Sequence, residues 1–147
     1  MSKHELFAAL DRQGVEWPDG FDRDARIHGV VAMKSLLEAA LGVPLELDAS
    51  AQDATFICNL GCLQNDNETR RQDYSICLTF SNFGNLCLLW GEQDWIARHD
   101  AAVNAGEEIL SGRGYVPLHP RDVGEAYDGC HAEWVGKTWL DRFFAHY

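Results

Sequence analysis

Most of the usual marks of chemistry are missing from this sequence, and each absence removes a class of function. No apolar run reaches the roughly 18 residues that a membrane-crossing helix needs, so no membrane partner is expected. The first residues, MSKHELFAAL, lack the basic lead and long apolar core of a secretory signal, which points to a protein kept in the reducing cytoplasm. There is no GxxxxGK[ST] loop, no GxGxxG after a strand and no GxSxG elbow, so the common phosphate-cradling and serine-nucleophile sites are not encoded. The histidines (His4, His28, His99, His119, His131 and His146) stand singly, without an HxxxH or HExxH pair. No catalytic residue, metal ligand or cofactor is therefore assigned. Repeats, low-complexity tracts and linkers are also missing, and residues 1–147 read as a single domain of ordinary size.

Basic residues are scarce as well. Twelve Lys and Arg face twenty-three Asp and Glu, leaving a net charge of −11. The acidity sits at the two ends, with −5 over 1–54, −1 over 55–90 and −5 over 91–147. A field of that sign repels a phosphate backbone and disfavours nucleic acid, while it attracts and steers a basic protein.

Cysteine is present, but not in a form that signals chemistry. Five is an odd number, and their spacing lacks the density of a disulfide scaffold. The pair in ICNLGC, Cys58 and Cys62, invites a metal reading. Two thiolates on one zinc lie at most about 4.6 Å apart, whereas four rises of an extended strand separate them by roughly 13 Å. They read as small residues filling a sheet, provided that Gly61 does not bend the strand between them. Cys130 and His131 are adjacent, which in a strand would aim them at opposite faces.

The hydrophobic pattern specifies an α+β fold. Leu6, Phe7 and Leu10 form a helical stripe within 3–13, with Ser2 or Lys3 near its start. Ile27, Val31, Leu37 and Leu41 recur at helical spacing over about 24–41, after a cap at Asp22 or Asp24 and before a stop at Gly42 and Pro44. The middle third changes to strand-like composition at about 54–63, 73–81 and 85–90. In the second strand Tyr74, Ile76, Leu78 and Phe80 alternate with Ser75, Cys77 and Thr79. The link NFG at 82–84 suits a three-residue hairpin with Gly84 left-handed, pairing Phe80 with Leu86, Leu78 with Leu88 and Ile76 with Trp90. The segment 64–72, with Arg70 and Arg71, reads as an exposed loop. Helical periodicity returns over 93–111, and 115–129, broken by Pro117 and Pro120, has room for a short strand and a turn of helix. The end, TWLDRFFAHY, carries a stripe of Trp139, Leu140, Phe143, Phe144 and Tyr147 behind a Thr138 cap. The expected architecture is a three- to four-stranded antiparallel meander with N-terminal, central and C-terminal helices on its large-residue face.

Three clusters mix aromatic anchors with carboxylates: VEWPDGFDRD, with Trp17, Asp19 and Asp22; WGEQDW, with Glu92, Asp94 and Trp95; and EAYDGCHAEW, with Tyr127, Asp128, Glu133 and Trp134. Rigid aromatic groups among charges are favoured at the energetic centres of protein interfaces, so these ten residues are the candidate partner interface. In size, acidity, lack of a catalytic motif and antiparallel α+β plan, the chain resembles the immunity proteins of bacterial toxin-based competition systems. That resemblance implies a non-enzymatic cytoplasmic protein that occludes the active site of a basic toxin or effector. The competing expectation is a small enzyme or ligand-binding protein with a pocket using Cys130, His119 or His131.

Overall fold

The computed structural model describes residues 2–14, 20–49, 58–65 and 72–144. The predicted strand residues 54–57, the loop arginines Arg70 and Arg71, and Tyr147 lie outside them.

Both N-terminal helices form where caps and stripe place them. Helix α1 (Lys3–Asp11) opens on a capping box, with the Ser2 hydroxyl accepting from the Glu5 N–H and Glu5 reaching back to the Ser2 N–H. Helix α2 (Arg23–Leu41) begins at Asp22, whose carboxylate accepts from the Ala25 N–H at 3.0 Å, and ends at Gly42 with φ 72°. Its buried face is Val30, Met33, Leu37 and Leu41, while Val31, expected on that face, is 48% exposed. The i, i+3, i+4 series that starts at Val30 supplies a wider apolar stripe than the one through Val31.

Among the described residues the sheet has five strands rather than three or four, and it is mixed. β1 (Glu46–Asp48), β2 (Cys58–Asn65), β3 (Gln72–Phe80) and β4 (Leu86–Gly91) form an antiparallel run in chain order, and β5 (Val116–Leu118) adds to β4 in parallel. The parallel edge follows from the connection, because a helical crossover returns the chain to the end of the sheet from which β4 started. That crossover is two helices, α3 (Gln93–Arg98) and α4 (Asp100–Gly112), where periodicity implied one. The break is His99: its ring stacks on Trp95 at 4.1 Å, and its Nδ1 lies 2.7 Å from the Trp95 carbonyl oxygen. A short α5 (Pro120–Val123), a 3-10 turn at Ala132–Trp134 and α6 (Trp139–Phe144) complete the order. Thr138 and Asp141 form the expected reciprocal cap of α6.

Helices cover both faces of the sheet, not one. Cys58, Leu60, Ile76, Leu78, Phe80, Cys87 and Leu89 share a cluster with the apolar faces of α2, α3 and α4. Leu86, Leu88 and Leu118 belong to a second cluster with residues from α1, α5 and α6, among them Phe7, Leu10, Val123, Trp139 and Phe143. Alternate residues of β4 therefore enter different cores.

Two-sided burial also explains a register that differs from the expected one. The observed pairs are Phe80 with Cys87, Leu78 with Leu89 and Cys77 with Trp90, one residue away from prediction. The Ser81 N–H donates to the Leu86 carbonyl, so the turn holds four residues, Asn82–Asn85. Gly84 is left-handed as expected, at φ 54°. The turn is shaped from within: Phe83 is 1% exposed and packs on Phe143, and Ser81 links the Phe83 N–H to the Phe143 carbonyl. Matching large residues to a single apolar face cannot choose a register when both faces are apolar.

Cys58 and Cys62 lie on one continuous strand, opposite Phe80 and Ile76. Gly61 does not bend it. The irregularity comes after Cys62, where Leu63 pairs with Tyr74 and Ser75 becomes the extra residue of a bulge. The bulge takes Tyr74 off the face expected for it, setting its ring edge-on to Trp90 at 5.4 Å and over Gly61. A Cβ at Gly61 would overlap that ring. Gly61→Ala is expected to cost about 1–3 kcal/mol through overpacking. Adding Tyr74→Ala should make the pair less destabilising than the sum of the two single changes, measured from urea midpoints in a double-mutant cycle.

Candidate functional site

Trp90, at the end of β4, is the centre of an open groove. Its indole N–H donates to the Thr79 hydroxyl at 2.9 Å, and Thr79 donates to the Asn59 side-chain oxygen at 2.6 Å. With Tyr74 against one edge, the ring is held in place while remaining half-exposed. On one side of Trp90 and Pro120 lies an apolar cleft of about 420 Å³, walled by Leu88, Leu140 and Phe144 and edged by Asp141. On the other side a cleft of about 720 Å³ runs between α4 and the start of α5. Ile96, Ala97 and Val103 form its apolar wall, and Asp100, Glu107, His119 and Arg121 its polar one. His119 Nε2 lies 2.5 Å from a Glu107 carboxylate oxygen, and the His119 N–H donates to Asp122 at 2.8 Å. Burial pushes the Asp122 carboxyl up, but the His119 N–H and Lys3, 2.9 Å away, outweigh it and hold it below its ordinary value.

A second cluster is built on Asp11, the last residue of α1 and only 1% exposed. Arg142 Nε donates to Asp11 Oδ1 at 2.7 Å, and the guanidinium also reaches the Gly14 carbonyl at 2.7 Å. The other oxygen, Oδ2, accepts from the Tyr127 hydroxyl at 2.7 Å, the Cys130 N–H at 2.9 Å and the Cys130 thiol at 3.4 Å. His131 Nε2 lies 2.7 Å from the Asp11 carbonyl, and the His131 N–H donates to Tyr127 Oη. The Arg142 guanidinium rests on Phe83, 4.3 Å from the ring centre, with Trp134 at 5.4 Å.

Electrostatics define what this cluster can do. Burial raises the Asp11 carboxyl, but the donors from Cys130, Tyr127 and Arg142 more than offset it, so Asp11 stays ionised below the usual range. Burial and then the Asp11 carboxylate push the Cys130 thiol up, and burial is the main cause of Tyr127 rising to about 12. Burial likewise drives Cys58 to about 11 and Cys77 to about 12, and raises Cys87 and Cys62. The described thiols are thus protonated near neutral pH, the opposite of what an activated nucleophile needs. Cys130 and His131 do meet, because their loop wraps the Asp11 carboxylate rather than running as a strand.

The ten candidate interface residues are dispersed. Trp17 and Asp19 lie outside the described residues. Asp22 is occupied in capping α2. Trp95 is 7% exposed and plugs the core against His99; Tyr127 is equally buried with its hydroxyl on Asp11, so neither offers a contact surface. Trp134 is half-buried beside Arg142, and Glu133 is exposed on the 3-10 turn. Asp128 is exposed with its carboxylate 3.0 Å from His4 Nε2. Glu92 and Asp94 are the chain neighbours of Gln93, which lines the larger cleft; neither lines it itself. Asp11, Glu107 and Arg142, which organise the two sites, carried no sequence signal: each is one charge among many, and its partner is distant in the chain or across an element boundary.

Comparison with protein-family models, curated proteins and solved structures finds no match for this chain. Among the described residues no helix is long and apolar enough to cross a membrane.

Asp11→Asn is expected to destabilise the fold by about 3–5 kcal/mol, because it leaves the Arg142 charge buried without its counter-ion. The pH dependence has a definite sign. Asp11's folded pKa is lowered, so its contribution is complete above the unfolded value near 4 and lost as pH falls through the folded one. Urea midpoints measured down the acid limb should therefore fall less steeply in the Asn variant than in the wild type.

Proposed function

We propose that this chain is a non-catalytic binding protein that takes a basic protein partner across the Trp90 groove. The single observation that supports this reading is the groove's composition: a fixed, half-exposed tryptophan between apolar walls, with carboxylates around it. Asp100, Glu107 and Asp141 line it, Glu92 and Asp94 are chain neighbours of its lining residue Gln93, and among the described residues Arg121 is the one Lys or Arg that lines it. A desolvated aromatic anchor within a polar rim is how interfaces concentrate binding energy. The net charge of −11 adds long-range attraction for a basic surface. The particular role we infer is that of the immunity proteins, with the groove and its acidic rim occluding the active site of a toxin or effector in the cytoplasm. A toxin acting on an anionic substrate has a basic active site, which gives the required complementarity.

A second reading, a small enzyme or ligand-binding protein, is favoured only by the His119–Glu107 pair on the wall of the larger cleft. A histidine beside a carboxylate is a known acid–base arrangement. Cys130 belongs to the Asp11 cluster, and neither it nor His131 lines this cleft.

The test is association with a candidate basic toxin domain, by titration at low and high salt. Trp90→Ala should weaken binding about tenfold or more. Charge reversal at Glu92 and Asp94 should slow association and flatten its salt dependence. Binding indifferent to both changes would exclude the groove, and inhibition of that toxin's activity by His119→Gln as complete as by the wild type would remove the enzyme reading.

A further inference from the structure

We propose that Asp11, Cys130 and His131 form a zinc-binding site at the solvent-facing side of the Asp11–Arg142 pair. One ligand atom from each of the three lies within 4.8 Å of the other two. The donor set, one thiolate, one imidazole and one carboxylate, mixes soft and hard ligands in the way that suits zinc better than calcium or magnesium.

The internal spacing supports coordination. Cys130 Sγ and Asp11 Oδ2 are 3.4 Å apart. A sulfur about 2.3 Å and an oxygen about 2.0 Å from one tetrahedral ion would be about 3.5 Å apart. Coordination would replace the Cys130 S–H···Oδ2 hydrogen bond, with the ion to one side of the line between the two atoms.

Outer-shell bonds fix each ligand in turn, as they do around metal centres. Oδ1 of Asp11 is held by Arg142 Nε, and Oδ2 by the Tyr127 hydroxyl and the Cys130 N–H. Because the Asp11 carbonyl can only accept, His131 Nε2 carries the proton and Nδ1 keeps its lone pair. Gly129 allows the loop to approach this closely, since a Cβ there would overlap Asp11 Oδ2. Cys130 is exposed and His131 half-buried, so an ion enters from solvent and water completes its coordination.

Binding breaks the Cys130 S–H bond, forms the sulfur–zinc bond and releases that proton to solvent. The two negative ligands balance the two positive charges of the ion, and Arg142 remains paired with Oδ1. Affinity accordingly weakens as pH falls. The bound ion would tie the end of α1 to the 127–142 segment.

Cobalt(II) serves as the spectroscopic probe and zinc as its competitor, both added to the full chain. The expected results are a thiolate-to-cobalt charge-transfer band that zinc removes, and one proton released per ion. Cys130→Ser should abolish the band, because serine keeps a donor for Asp11 and supplies no thiolate; His131→Asn should weaken binding at least tenfold. Cys62→Ser should change neither. As a check that needs no variant, zinc should protect Cys130 of the wild-type protein from alkylation, read by peptide mass spectrometry. No band in the wild type, an unchanged band in Cys130→Ser, or alkylation of Cys130 indifferent to zinc would overturn the proposal.

Discussion

The ion pair between Asp11 and Arg142 joins the end of the first helix to the last helix of the described chain, with both side chains withdrawn from water. Two bare charges at that depth would be strongly unfavourable, because desolvation costs several kcal/mol per ion. They are tolerated because every face of the carboxylate is met by a donor, and because the guanidinium has a carboxylate, a backbone carbonyl and an aromatic face. The second hydrophobic cluster packs around this pair, and the turn carrying Phe83 is shaped to reach it. The loop that brings Cys130 and His131 together has its form because it must encircle Asp11. Charge in the interior here acts less as a source of stability than as a requirement that the surrounding chain has to satisfy.

The sheet gives the second constraint. Its two faces are both covered, and this separates the molecule into two cores that share β4. Where the covering stops, at the end of β4, Trp90 is left half-exposed between two clefts. The groove is thus a by-product of layering: helices α3 and α4 lie over one face, the C-terminal elements over the other, and neither reaches fully across Trp90. Its polar rim comes from segments remote in sequence, α4 and the β5–α5 junction, which meet only through the parallel pairing of β5 with β4.

Much of the local architecture was readable beforehand. Ser2, Asp22, Gly42, Gly84 and Thr138 each act through their own few neighbours, so capping, helix ends and the left-handed turn residue could be assigned from short stretches. The misreadings concern side chains whose placement depends on what they pack against, near or far in the chain. One helix became two because the His99 ring stacks on Trp95 and its Nδ1 contacts the Trp95 carbonyl. The hairpin register moved by one residue because Phe83 turned inward and both faces were apolar. Tyr74 changed face because of a bulge that pairing with β2 imposed. Tryptophan and tyrosine among acids suggested an interface, but Trp95 and Tyr127 went to the core, since composition does not report which side of a residue meets protein.

The amino-acid order alone determined the α+β class, the positions of the principal helices and central strands, the acidic field and the reading of Cys58 and Cys62 as strand residues. These depend on periodicity, capping and summed charge, which act over a few residues or over the whole chain regardless of its path. Only the tertiary structure decided that the sheet is mixed and covered on both sides, that Trp90 floors a groove, and that Asp11, Cys130, His131 and Arg142 meet. The sheet and the groove required whole elements to pack on one another, and the Asp11 cluster required residues more than a hundred positions apart to satisfy one another's charges and hydrogen bonds; neither kind of pairing leaves a trace in spacing.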